Sequence, residues 1–66
     1  MLENNVKLFR TSQNLTQEQL SKKVNCTRQT INSIEKNRYN PSLELALVIA
    51  RVLECDVNEL FKLKKS

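Results

Sequence analysis

Cys26-Thr27-Arg28-Gln29-Thr30-Ile31-Asn32-Ser33-Ile34-Glu35-Lys36 is the stretch on which the reading of this chain turns. Wound as a helix at ~100° per residue, it separates into two faces. Arg28, Gln29, Asn32, Ser33 and Lys36 fall on one stripe, at i, i+1, i+4, i+5 and i+8, while Ile31 and Ile34 point the other way. One face can bury. The other offers a guanidinium, two amides, a hydroxyl and an ammonium with no carboxylate among them, the side chains that read base edges and hold phosphates. An ordinary solvated helix face would mix Glu with Lys.

The surrounding sequence frames this stripe as the second helix of a pair. Leu15-Thr16-Gln17-Glu18-Gln19-Leu20 carries a strong start signal. Thr16 is placed to cap, Gln19 to complete a capping box, and Leu15 and Leu20 to close a hydrophobic staple. The same frame recurs at Cys26–Ile31, capped by Thr27, and at Cys55–Leu60, where Asp56 and Glu59 suit a second box. Both cysteines stand in the staple slot, which reads as a small buried hydrophobe, with a disulfide as the alternative. No glycine occurs anywhere. Instead Asn14, Asn25 and Asn37 sit at three predicted helix ends, where the left-handed conformation is needed and Asn tolerates it. The fourth such end falls on Glu54, which would carry backbone strain.

Outside this pair, Asn4 or Asn5 can cap a first helix that ends near Gln13, with Val6 and Phe9 on its inner face and Leu8 to the side. Ser42, after Pro41, caps a helix from Leu43 to about Leu53 that is apolar nearly all round, so one side is core and another is available to a second subunit. A short helix follows from Val57 to about Phe61. The tail alternates apolar and basic residues, which predicts a strand Phe61–Lys64 pairing with Met1–Glu3 as a two-stranded ribbon.

Composition narrows the function. The chain has 66 residues, eleven bases against seven acids, and no histidine. Its two cysteines lack metal-ligand spacing, nothing resembles a phosphate-cradling glycine loop, and no nucleophile has a paired base. No catalytic residue, cofactor or metal is therefore assigned, and an enzyme is disfavoured. Residues 1–5 do not read as a signal peptide, and the longest near-apolar run, Leu45 to Ala50, is too short to span a bilayer. A single soluble, cytoplasmic domain with no membrane partner is expected. Residues 16–40 carry five bases and two acids, whereas 41–60 carry one base and four acids, so a polyanion has one favoured side to approach.

Helix, tight turn and capped second helix over Thr16–Lys36 make the helix-turn-helix layout, whose second helix enters the major groove. Residues 6–61 resemble the Cro/repressor-type helix-turn-helix family, also called the Xre family. The resemblance is carried by Arg10, Leu15–Leu20, Val24, Thr27–Ile31, Ile34-Glu35 and Tyr39–Leu47, and it is strongest to very short, single-domain, homodimeric repressors. It implies an all-α, five-helix lambda-repressor-like fold, a homodimer on a double-stranded DNA operator, and transcriptional control. It also implies roles. Arg28, Gln29 and Asn32, with Ser33, match base readers; Arg28 suits guanine, and Gln29 or Asn32 suits adenine. Thr16, Gln17, Thr27, Thr30, Lys36, Arg38, Tyr39 and Asn40 fall where the family touches the DNA backbone, although Tyr39 suits packing nearly as well. Arg10 and Glu35 match a buried ion pair. Val48, Val52, Val57, Leu60, Phe61 and Leu63 are expected at the dimer contact. The alternative on the same fold is an antitoxin or other module that grips a regulatory protein partner.

Overall fold

The computed structural model describes residues 2–63. In chain order it contains strand β1 (Leu2–Asn4), helices α1 (Val6–Ser12), α2 (Gln17–Lys23), α3 (Arg28–Glu35), α4 (Leu43–Val52) and α5 (Val57–Leu60), and strand β2 (Phe61–Leu63). The two strands pair antiparallel, Leu2 opposite Leu63, Glu3 opposite Lys62 and Asn4 opposite Phe61. A terminal ribbon is therefore present, and its first strand takes in Asn4, one residue beyond the expected Met1–Glu3; Met1 and Lys64 of the expected span lie outside the described residues. Phe61, expected at the end of α5, is extended and belongs to the ribbon.

The helix starts follow the sequence signals. Thr16 accepts from the Gln19 amide at 3.0 Å while the Gln19 side chain accepts from the Thr16 amide at 2.8 Å, a complete capping box. Thr27 accepts from the Thr30 amide and Ser42 from the Leu45 amide, both at 3.1 Å. At α1 the Asn4 alternative holds, and at α5 the start departs from expectation. Asn5 makes no side-chain cap on α1; its amide donates to the Glu59 carbonyl, and Asn4 Oδ1 takes the Val6 N–H instead. Asp56 accepts from the Asn58 amide, and the expected box with Glu59 does not form: the Glu59 N–H donates to the Asp56 carbonyl instead of its side chain.

Four of the helix ends share one geometry. Asn14, Asn25, Asn37 and Glu54 have φ of 56–59°. At each, the left-handed residue donates its N–H three residues back (to Thr11, Lys22, Ile34 and Arg51), and the next residue donates five back (to Arg10, Ser21, Ser33 and Ala50). Both bonds of the Schellman motif are thus made at all four ends. At three of them the residue after the turn (Leu15, Cys26, Cys55) is also the staple residue of the next helix, and all three pack against the core. Glu54 therefore does carry the predicted strain, in a turn whose two backbone bonds are both satisfied.

The core comprises Val6, Leu20, Val24, Ile31, Ile34, Ala46, Ile49, Ala50, Leu53, Leu60 and Phe61. Every α-helix contributes, and Ile31 and Ile34 are fully enclosed, so α3 is held by its apolar face and leaves its polar stripe outward. Leu60 and Phe61, expected between copies of the chain, are closed inside the protomer itself, because the ribbon folds the end of α5 back over the core. Leu43, Leu47 and Leu63 stay exposed, and Val48, Val52 and Val57 are half-buried.

Candidate nucleic-acid interface

α3 is set in place from behind by an ion pair. Arg10, on α1, donates Nε to one Glu35 oxygen at 2.7 Å and Nη2 to the other at 3.1 Å. Its Nη1 donates to the Leu15 carbonyl at 2.7 Å, in the turn leading to α2. Both side chains are almost entirely buried, at 10% and 4% exposure. One guanidinium thus ties α1, the α1–α2 turn and α3 together in a fork geometry that only Arg supplies.

Gln17 extends the pair towards the surface. Its Nε2 donates to Glu35 Oε1 at 3.0 Å and to Asn32 Oδ1 at 3.2 Å. Both amide hydrogens are thereby used inside the protein. The side chain has no donor left for a phosphate, and what remains to it at the start of α2 is its main-chain N–H.

At the exposed start of α3, Arg28 and Gln29 stand clear of the protein, and Asn32 and Ser33 one turn on are half-buried. Open grooves flank this ridge. One is lined by Arg10, Thr11, Asn14, Leu15, Thr16, Gln17, Glu18 and Arg28, and the other by Thr27, Gln29, Thr30, Ser33 and Tyr39. Thr27 and Thr30 hydroxyls lie 2.9 Å apart and bond each other. Lys36, Arg38, Tyr39 and Asn40 are exposed in the segment after α3; Lys36 is the helix cap rather than its last residue. Arg28, Lys36 and Arg38 make no ion pair, since Arg10–Glu35 is the only one among the described residues. Three cations are thus available to an anionic partner.

The far end of α3 is anchored too. Asn4, on β1, donates its side-chain amide to the Ile34 carbonyl at 2.8 Å and to Asn37 Oδ1 at 3.0 Å. The terminal ribbon therefore clamps the last turn of the helix. Gln13 makes a comparable tie to the Leu53 carbonyl at 2.7 Å. Neither contact is legible in the sequence, because nothing local marks an Asn or Gln that bonds a carbonyl 30 or 40 residues away.

Comparison with known proteins agrees with this geometry. A family model described as helix-turn-helix matches residues 6–60. The chain belongs to the helix-turn-helix family. An uncharacterised HTH-type transcriptional regulator of Methanocaldococcus jannaschii is 45% identical over 60 residues, covering 91% of each chain. The immunity repressor protein of Bacillus phage phi105 is 38% identical over 55 residues, 83% of this chain but 38% of the phage protein. A crystal structure of a candidate DNA-binding protein from Bacteroides fragilis shares the fold, with a TM-score of 0.84 over 94% of this chain and all of that one, at 24% identity. Among the described residues no helix is long and apolar enough to cross a membrane, and no cluster of His, Cys, Asp or Glu is arranged to hold a metal ion.

Proposed function

We propose that this helix-turn-helix protein is a homodimeric transcriptional repressor that reads a near-palindromic DNA operator. The observation that carries this reading is the groove-flanked ridge at the start of α3, where uncompensated Arg28 stands beside Gln29, Asn32 and Ser33. A helix presented this way fits the major groove, with the flanking grooves left for the two sugar-phosphate walls. Arg28 supplies a fork for guanine O6 and N7, a pairing worth ~1–3 kcal/mol of discrimination. Gln29, Asn32 and Ser33 read neighbouring base pairs. Thr16, Thr27, Thr30, Lys36, Arg38, Tyr39 and Asn40, with the Gln17 main chain, hold the backbone and fix the register. The phage immunity repressor among the relatives favours repression over activation.

One domain makes few contacts, and a two-fold pair doubles them. The exposed face of α4 suits that pairing. Leu47 and Val48 lie between Glu44 and Arg51, so an antiparallel crossing of two α4 helices sets Glu44 of each copy opposite Arg51 of the other and buries the apolar pair at the centre.

The test is a footprint on the DNA flanking the gene, followed by salt titration of two variants. Arg28→Ala relaxes preference at one base pair per half-site, whereas Arg38→Ala weakens binding to every sequence and lowers the salt slope. If both variants shift only sequence-independent binding, by equal amounts, α3 is not the reading helix.

A further inference from the structure

We infer that the buried Glu35 carboxylate fixes the polarity of Asn32, so that this residue presents only N–H donors to DNA and selects acceptor edges, guanine or thymine, against adenine and cytosine. The inference rests on the proposed role of α3 and replaces the Asn–adenine pairing that side-chain type alone suggests.

The chemistry runs outward one group at a time. Glu35, paired with Arg10, is a carboxylate and can only accept. The Gln17 atom 3.0 Å from it must therefore be the NH2 group, since the Gln17 carbonyl there would face oxygen with oxygen. That NH2 has a second hydrogen, directed at the Asn32 side chain 3.2 Å away. The Asn32 atom facing it must in turn be the carbonyl oxygen, because a second NH2 there would oppose donor to donor. The Asn32 amide is thus held with Oδ1 inward and Nδ2 outward. Three side chains relay one constraint from the core to the surface, and Gln17 acts as a positioning residue for Asn32.

The base preference follows. Adenine offers N7 to the outward NH2 but needs an acceptor for its N6 amino group, and the Asn32 oxygen is engaged by Gln17, so adenine keeps one of the two bonds an amide normally makes to it. Guanine offers N7 and O6, both acceptors, to the outward NH2, and thymine offers O4. Cytosine presents its N4 amino group, donor against donor.

The experiment is selection of the full chain from a randomised duplex library, with sequencing of the bound fraction. It is run for the wild type and for Asn32→Ala, Asn32→Asp and Gln17→Leu, each checked for folding by circular dichroism. Asn32→Ala identifies the base pair this residue reads, and the base pair relaxed by Arg28→Ala serves as an internal control. At the Asn32 position the wild type should prefer guanine or thymine over adenine by about tenfold. Asn32→Asp, acceptor-only, should move that preference to cytosine. Gln17→Leu frees the Asn32 amide to rotate and should admit adenine there, with the Arg28 position unchanged. A Gln17 acting only on stability would weaken all positions together, and that result overturns the relay. So does wild-type adenine preference at the Asn32 position, or an Asn32→Ala profile that changes nowhere; both leave Arg28-dependent DNA reading intact. Absence of any enriched sequence removes the DNA-reading assignment itself, and the inference with it.

Discussion

Replacing Arg10 by Ala should bring this domain close to unfolding. The guanidinium makes three hydrogen bonds, two to Glu35 and one to the Leu15 carbonyl. After truncation the Glu35 carboxylate, only 4% exposed, keeps just the Gln17 amide as a partner. Removing one member of a buried pair typically costs ~3–5 kcal/mol, because a charge is left without compensation. A 66-residue domain has on the order of 3–10 kcal/mol in total. The single substitution therefore takes away much of the stability. Replacing both partners by apolar groups, Arg10→Met with Glu35→Leu, removes the uncompensated charge and should restore most of it, since such exchanges are often neutral or better. The assay is urea denaturation followed by far-UV circular dichroism at one fixed protein concentration, so that dimer linkage does not intrude. A midpoint shift with unchanged slope reads as stability. An Arg10→Ala variant within about 1 kcal/mol of wild type, or a double variant weaker than either single, would refute the assignment of the pair as the tie between α1 and α3.

Other outcomes follow from separate features. Glu54→Asn should raise stability by about 1 kcal/mol, by relieving the left-handed strain while keeping both Schellman bonds, and a melt would register it. Thr16→Ala should lower stability by about 1 kcal/mol by opening the capping box. Leu47→Glu should sediment as a monomer and lose most operator affinity while keeping its far-UV spectrum, because it charges an exposed α4 position and not a core one. Burial pushes both thiols up, and Glu59 and Asp56 raise Cys55 further. Alkylation near neutral pH should therefore be slower than for a free thiol. Because the folded state favours the protonated thiols, this stabilisation is present below the ordinary thiol range and is lost as pH rises through the raised values.

Local signals carried most of the fold. Caps at Thr16, Thr27 and Ser42, and Asn at the turns, report on interactions spanning three to five residues, which a sequence displays directly. The apolar spacing of Ile31 and Ile34 likewise oriented α3. The ribbon was legible from alternation but not its register, which depends on Asn5 donating to the Leu60 carbonyl across the fold. Leu60 and Phe61 illustrate a different limit: hydrophobicity marks a residue for burial without saying whether its own chain or a second copy covers it. Gln17, Asn4 and Gln13 mark a third, since an amide's partners depend on which acceptors the folded chain brings near.

The repeated turn has a mechanical consequence. With no glycine in the sequence, and with each of the four left-handed corners fastened by two backbone bonds, none of these corners is a ready hinge. Such a body can dock but has little capacity to remould itself around an imperfect duplex. Of the two partners in the proposed complex, the DNA is then the more compliant. Bending and groove narrowing between the half-sites would fall to the operator, and base pairs that no side chain touches would still influence affinity through how readily they deform.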